Sequence, residues 1–510
     1  MIVEDQEETL AFLRNPASYG GGPLSVDQIV THISAVFLAG DFVYKLKRAV
    51  RFNYVDYASR ERRAEACAAE VALNRRTAPS LYLGTRSIRR RPGGELGFEG
   101  EGPLVETVVV MRRFDQACLF DRLAQQGELT PRLMRELADR IVIFHRHAEV
   151  DPAFGGYAGL AEVMDGIADN LALATPAILN AAAVSALVED SRAALAELKP
   201  LLEARREAGK VRLCHGDLHL RNICLLDGLP TLFDCIEFNR PLACVDVLYD
   251  LSFLLMDLAH RRLPDLAGMV FNRYFDQEAE VEGVAALPLF LSMHAAIRSH
   301  VTAAALPARP ASERDAVIGE ARAYLDLARD LLRPGAPRLI AIGGLSGTGK
   351  STLAYGLAPG LAGVPGARVL RTDVLRKRMM GVAPETPLPE EAYDAAASRA
   401  VYARLGQEAG ALLRGGRSVI LDAVFLRPEE RAAAEAIARE SGFAFQGLWL
   451  EAAAGVMAAR IEDRRHDASD ATVEILKRQL TLPASPMTWR RLDTGGPPAV
   501  VLATASEMIG

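Results

Sequence analysis

Residues 213–238 read LCHGDLHLRNICLLDGLPTLFDCIEF, and their chemistry decides the first half of the chain. Asp217 is followed five positions later by Asn222, and Asp234 comes after a turn, all of them among runs of Leu, Ile and Phe. Carboxylates in apolar surroundings are costly unless they are paired or hold a cation. Core packing does not call for two acids and an amide at such spacing, so a site that handles a cation is the expectation.

Outward from this stretch, the 510 residues exceed what one hydrophobic core supports, so several domains are expected. Half the residues are hydrophobic and 24% charged, the balance of a globular protein, not a disordered one. A net charge of −6 gives no global reason to expect nucleic acid or an anionic membrane as partner. The acidic start MIVEDQEETL does not resemble a secretory signal, and no apolar run reaches the roughly 18–20 residues of a membrane span. A cytoplasmic location follows as the expectation. The six cysteines form no C-x-x-C pair and read as buried thiols of a reducing compartment.

Residues 29–48 alternate apolar with polar around a Gly-Asp turn, as a β-hairpin would. The helical stretch SRERRAEACAAEVALNRR and the strand VETVVVMRRF follow, then helical pattern from about 130 to 210. RPGAPR, residues 333–338, reads as a linker. Beyond it RLIAIGG, RSVILDA and FQGLWLE are short apolar strands between Ala-rich helices, the texture of a parallel sheet covered on both faces. The expected domains are 1–110, 111–333 and 334–510.

GLSGTGKS, Gly344 to Ser351, satisfies G-x-x-x-x-G-K-[ST] directly after a strand and at the start of a helix. Gly344, Gly347 and Gly349 let backbone N–H groups wrap nucleotide phosphates, beside Thr348 and Thr352. Lys350 would reach the β- and γ-phosphates and the Ser351 hydroxyl would bind Mg²⁺. Asp422, ending the strand SVILD, suits a second Mg²⁺-side carboxylate. Asp373, where a strand passes into a helix, could take the proton of an acceptor hydroxyl or merely cap that helix, while Arg376 would fix an anionic group of the substrate. Arg460 and Arg464 stand four apart before a polar loop, as arginines of a closing lid would, or on a solvated helix face.

The region from about 335 to 510 resembles the small P-loop kinases of the AAA_33 type, relatives of gluconate, shikimate and polynucleotide kinases and of zeta toxins. The phosphate loop, RTDVLRK and VILDAVFLRPEER carry the likeness.

Over about 25–330 the chain resembles the aminoglycoside phosphotransferase and choline kinase superfamily, through HGDLHLRN followed by an Asp-bearing strand. It shares the Asp-to-Asn interval of the protein-kinase catalytic loop, with Gly for Arg. The resemblance implies a two-lobed protein-kinase-like α+β fold. It makes Asp217 the base for a substrate hydroxyl, and Asn222 and Asp234 the Mg²⁺ ligands, and gives His219 either substrate contact or a structural hydrogen bond. It also asks for a strand lysine on the ATP phosphates and a helix glutamate to hold it. Lys45, sharing a strand face with Val43, is preferred to Lys47, and Glu70 to Glu65. Met111 to Phe114 would meet the adenine. Asp246 and Asp250 in RPLACVDVLYDLSFL are expected to anchor the loop. Many members carry D-x-E after the strand; here DCIEF puts Glu237 one residue later and leaves its role open.

The order of the halves resembles bifunctional fusions of an aminoglycoside phosphotransferase-like domain with an AAA_33-type kinase. The reading is an ATP- and Mg²⁺-dependent kinase with two sites, each phosphorylating a hydroxyl of a small molecule, with no nucleic acid or membrane partner and no indication of oligomeric state. The alternatives are one active domain gated by a nucleotide-sensing partner domain, or a polynucleotide or nucleotide-sugar kinase in the C-terminal half. Antibiotic modification ranks low, because EDSRAALAELKPLLEARRE is mixed in sign where an acidic pocket would be needed.

Overall fold

The computed structural model describes residues 3–20, 25–52, 55–464, 467–482 and 486–510. Arg465 and His466 of the expected lid loop lie outside the described residues. The chain forms two compact units, one of residues 1–159 with 205–251, the other of residues 160–204 with 252–510.

In the first unit the strands are β1 (Val26–Val30), β2 (Ser34–Ala39), β3 (Phe42–Lys47), the short pair β4 (Arg51–Phe52) and β5 (Val55–Asp56), β6 (Tyr82–Arg90), β7 (Leu96–Phe98) and β8 (Leu104–Arg112). Six of them make an antiparallel sheet in the order β1-β2-β3-β8-β6-β7. The expected hairpin is β2–β3, closed by Gly40 at φ 60° and pinned by the pair Ala39 and Phe42. Successive side chains point to opposite faces of a strand, and β3 uses both. Tyr44 and Leu46 enter a core with Phe37, Val108 and Val110. Val43 joins the opposite core with Cys67, Val109 and Met111, so Lys45 and Lys47 face the helix Arg60–Asn74. That helix is capped by the Ser59 hydroxyl, which accepts from Arg62 N.

The segment around Asp217 follows as β9 (Val211–Leu213), β10 (Ile223–Leu226), β11 (Leu229–Leu232) and β12 (Cys244–Asp246). β10–β11 is a hairpin, and β12 pairs with β9, which brackets the intervening loop between two small sheets.

In the second unit β13 (Arg338–Gly344), β14 (Arg368–Arg371), β15 (Val419–Asp422), β16 (Ala444–Glu451) and β17 (Arg490–Asp493) form a wholly parallel sheet, ordered β14-β15-β13-β16-β17. Its three central strands, β15, β13 and β16, are largely apolar because helices cover both faces, while the edge strands β14 and β17 carry arginines. Ile340, Ile342, Val369, Ile420, Leu448 and Leu450 pack against Leu353, Leu357, Val501 and Ala505. Packing does not divide at the 333–338 linker: helices from residue 252 onward are compact with the parallel sheet. The buried ion pair between Arg368 at the start of β14 and Asp276, 2.7 Å apart, is one reason.

None of the six cysteines is in a disulfide, and all but Cys118 are buried. Among the described residues one helical stretch, Glu282–Ala304, is long and apolar enough to cross a membrane, and two thirds of it is buried in the protein.

Candidate active sites

In the first unit β3 and the Arg60–Asn74 helix bring Lys45 Nζ to 2.9 Å from Glu70 Oε1, with Asp234 Oδ1 2.6 Å away on the other side. The expected lysine, glutamate and acid thus meet across 189 residues of sequence. Burial alone would strip the Lys45 charge, yet the adjoining Asp234 and Glu70 carboxylates hold its pKa well above the ordinary value. Enclosure likewise works against ionised Glu70 and Asp234, and the lysines overcome it, so both carboxyls lie below their usual range. Asp234 sits at φ 60°, a conformation uncommon for a residue with a side chain, and its N–H donates to the Tyr82 hydroxyl at 3.2 Å.

Lys47, the lysine not preferred from sequence, is fully buried and pairs with Glu70 Oε2 at 2.5 Å and with Glu237. Tyr57 donates its hydroxyl to the same Glu237 oxygen at 2.9 Å. Glu237, whose role the sequence leaves open, therefore closes a chain of alternating charge, Asp234, Lys45, Glu70, Lys47, Glu237, which is buried from Glu70 to Glu237 and half-exposed at Asp234. Both lysines share one strand face; the spacing from Val43 favours Lys45 for the nucleotide, but nothing in the sequence names the buried acid that Lys47 meets.

Asp217 and Asn222 face each other across the loop. Asn222 Nδ2 donates to Asp217 O at 3.0 Å and to Asp217 Oδ2 at 2.9 Å, which leaves its carbonyl oxygen for a cation. Phe233 N donates to the backbone Asn222 O at 3.0 Å, which sets Asp234 next to this loop, and an amide oxygen with a carboxylate is hard oxygen chemistry that fits Mg²⁺. His219 is buried, with Nε2 3.5 Å from Asp217 Oδ1. Beneath the loop, Asp250 accepts from Gly216 N at 2.7 Å, His215 N at 3.3 Å and the His145 ring at 2.9 Å. Burial opposes the Asp250 charge, but these partners hold its pKa low. Arg205 grips Asp246 through two nitrogens, at 2.7 and 2.8 Å. Asp250 thus anchors the loop, whereas Asp246 ties Arg205 to the start of the helix that follows it, accepting also from Leu248 N at 2.8 Å.

Met111 is buried in the sheet core, with Leu38, Phe114 and Phe233 partly buried around it. Beyond it Arg113, Phe114, Asp115 and Gln116 line a cavity of about 380 Å³ with Leu38 and Asp41. Met111 itself does not line this cavity.

In the second unit the phosphate loop joins β13 to the helix Lys350–Leu357. Gly347 has φ 84°, and a Cβ there would stand 2.4 Å from Met457 O, so only glycine fits. Gly349, at φ 87°, caps the helix N-terminus, and Gly344 ends the strand ahead of the loop. Thr348 Oγ1 donates to Leu345 O at 2.8 Å, while Thr352 is exposed on the first helical turn. Lys350 Nζ donates to Leu345 O at 2.9 Å, and burial lowers its pKa. The Ser351 hydroxyl donates to Asp422 Oδ2 at 2.6 Å, which joins the two Mg²⁺-side residues named from sequence and again leaves oxygen ligands fitting that ion. Ser346 N is met by the side-chain oxygen of Gln479 at 2.9 Å, evidence that the loop offers its amides to an oxygen acceptor.

Asp373 opens the helix Thr372–Met379 beside Arg371, Asp422 and Lys350, and loss of hydration pushes its carboxyl up. Arg376 is turned inward: it donates to Ala392 O at 2.6 Å and stands 4.6 Å over the Tyr393 ring. That is a structural placement, and it ties down the chain after the helix. Arg460 donates to Thr494 O at 2.7 Å, with its Nη1 3.7 Å from where a Gly349 Cβ would stand. Arg464 is close enough to weigh on the Lys350 charge. Two further groups escaped the sequence reading. Arg371, the last residue of β14, pairs with Asp422 at 3.4 Å and Asp467 at 2.9 Å. The fully buried Lys377 pairs with Asp470 at 3.1 Å, and Asp470 also accepts from the Tyr393 hydroxyl. Both cations lie inside RTDVLRK, where their charge gave a signal but not their partners, which include Asp467 and Asp470, nearly a hundred residues away.

The two units thus carry one kinase-type lysine–glutamate–aspartate cluster and one phosphate-loop cluster, the equipment of phosphotransferases. The chain matches the Phosphotransferase enzyme family over residues 40–287 and an AAA domain of the AAA_33 type over residues 339–483. It is 30% identical over 480 residues to an uncharacterised protein of Mycobacterium tuberculosis (strain ATCC 25618 / H37Rv), with 92% of this chain and 93% of that protein covered. It matches an uncharacterised Mycobacterium bovis protein equally well, at 30% identity over 480 residues. The chain belongs to the family of these proteins, and in it a phosphotransferase-family domain precedes an AAA_33 domain, which makes it a kinase. Among solved structures, a choline/ethanolamine kinase family protein from Mesorhizobium loti is similar at 16% identity and a TM-score of 0.38, covering 63% of this chain and 98% of that one. A sugar kinase from Janibacter sp. HTCC2649 is similar at 23% identity and a TM-score of 0.26, covering 34% of this chain and 94% of that one.

Proposed function

We propose that the chain is a bifunctional, ATP- and Mg²⁺-dependent phosphotransferase of the cytoplasm, with one site in each unit and a small hydroxylated molecule as acceptor at each. The observation that supports this reading is that each unit holds a phosphate-handling set of its own. Lys45, Glu70, Asp217, Asn222 and Asp234 converge in the first, and Lys350, Ser351, Asp373 and Asp422 in the second.

In the first unit Lys45, held by Glu70, supplies positive charge to the nucleotide phosphates. The acceptor hydroxyl oxygen forms a bond to the γ-phosphorus, the bond to the β,γ-bridging oxygen breaks, ADP leaves, and the hydroxyl proton passes to Asp217. Asn222 holds that carboxylate by one oxygen, 2.9 Å away, and so orients the base. In the second unit Asp373 takes the corresponding proton, and its raised pKa makes it a stronger base than an ordinary carboxylate. Lys350 and the arginines Arg460 and Arg464 offset charge on the transferring group. Mg²⁺, when bound by Asn222 and Asp234 or by Ser351 and Asp422, neutralises phosphate charge.

Calorimetric titration with a non-hydrolysable ATP analogue and Mg²⁺ tests the reading and is expected to give two sites. Lys45→Ala and Lys350→Ala each remove a different one. A single site that Lys350→Ala abolishes and Lys45→Ala leaves untouched would refute it.

A further inference from the structure

The parallel sheet of the second unit ends at β14, whose outer edge is open to pairing. Arg368 N donates inward to Ser418 O at 2.9 Å, so the polar groups of Ala367 and Val369 face away from the sheet. Ala367 N donates to Ala358 O at 2.8 Å, and the other two, Ala367 O and Val369 N, meet one side chain. Asn272, in the helix Pro264–Gln277, accepts from Val369 N at 2.8 Å and donates to Ala367 O at 3.2 Å. Its carboxamide occupies the edge as the peptide of a sixth strand would. The same side chain accepts from Arg368 Nη1 at 3.0 Å and donates to Gly268 O at 2.9 Å, and it is 1% exposed. An apolar residue would cover the edge equally well. A buried amide that satisfies four groups also sets the position of the strand, because any slip leaves those groups unpaired at a cost.

The helix holds this segment at three further points. Asp276 pairs with Arg368 at 2.7 Å, Phe275 O accepts from Arg378 at 3.1 Å, and Arg273 pairs with Glu385 at 2.6 Å. Arg368 begins β14, Arg378 lies near the end of the helix that Asp373 opens, and Glu385 follows that helix. Both ends of the segment bearing Arg371 and Asp373 are therefore fastened to one element. That element falls within the residues matched to the phosphotransferase family, 40–287.

We infer that the helix Pro264–Gln277 is the positioning element for the acceptor side of the P-loop site, with Asn272 as its principal positioning residue. Phosphoryl transfer at Lys350 thus depends on a helix that the sequence assigns to the other kinase. This rests on the reading of the P-loop as a kinase site.

The test uses the full chain. Asn272→Leu keeps the cover and removes the bonds, and Asp276→Asn keeps the size and removes the charge against Arg368. Three quantities are measured: the Lys350-dependent part of ATP turnover (wild type minus Lys350→Ala), affinity for the non-hydrolysable ATP analogue at the Lys350 site, and deuterium uptake by residues 367–375. The expected result for Asn272→Leu is a ten- to hundredfold fall in turnover, the scale of a misplaced reacting group. Nucleotide affinity stays within about threefold and uptake across 367–375 rises, since the phosphate loop itself is not touched. Asp276→Asn moves the same quantities less, and serves alone if Asn272→Leu does not fold. Faster uptake with unchanged turnover would overturn the inference, as would equal loss of turnover and nucleotide affinity, the mark of a merely structural residue. Wild type without any Lys350-dependent turnover would overturn the kinase reading and the inference together, whereas failure confined to the variants overturns the inference alone.

Discussion

Lys47→Met removes the cation that the sequence ranks behind Lys45, and its cost can be worked out from its two buried carboxylate partners. Lys47 is fully buried between Glu70 and Glu237, and methionine fills nearly the same space without charge. Breaking a buried pair by taking one partner costs about 3–5 kcal/mol, because the other charge stays uncompensated. Here Glu70 keeps Lys45 at 2.9 Å and Glu237 keeps the Tyr57 hydroxyl at 2.9 Å, so the low end applies. A loss of about 3 kcal/mol in a unit of about 200 residues lowers its midpoint by roughly 6–12 °C. Both tryptophans, Trp449 and Trp489, lie in the second unit. Tryptophan fluorescence therefore follows that unit during thermal unfolding, while far-UV circular dichroism follows both. The expected outcome is a dichroism transition moved down with the fluorescence transition in place. Adding Glu237→Gln removes the stranded carboxylate and should return part of the loss, a coupling that a double-mutant cycle reads directly. A change in the first unit below about 1 kcal/mol, or no recovery in the double variant, would refute the reasoning.

Two further outcomes are expected. Asp217→Asn should lower turnover at the first site about a hundredfold or more, the usual contribution of a positioned base. Its nucleotide affinity should hold, because Asp217 pairs with Asn222 and not with Lys45; full turnover in a Lys350→Ala background would disprove the base. At the second site the Asp373 carboxyl is pushed up by loss of hydration, so its basic form is lost on acidification at a higher pH than for an ordinary aspartate. The pH profile of Lys350-dependent turnover should fall on its acid side above about pH 4, and an acid limb at or below that value counts against Asp373.

The sequence by itself determined both phosphate-handling motifs, because each is local. HGDLHLRN places Asp217 and Asn222 within one loop, and GLSGTGKS needs only a strand, three glycines and a helix start, all of which are backbone requirements of adjacent residues. It also determined the fold class, since hairpin alternation and apolar parallel strands are written in short periods. Tertiary structure decided what depends on residues far apart. Lys45 and Lys47 stand on one strand face, and the approach of Asp234 and Glu237, 189 and 190 positions away, separates their roles. Arg376 looked like a substrate ligand from its charge, but chain folding after its helix gave it Ala392 O and Tyr393. The grip of Asn272 on Ala367 and Val369 has no signature at all. An asparagine in a helix carries its meaning only when an open strand edge arrives beside it, and hydrogen bonding at that distance is settled by packing, not by neighbours in sequence.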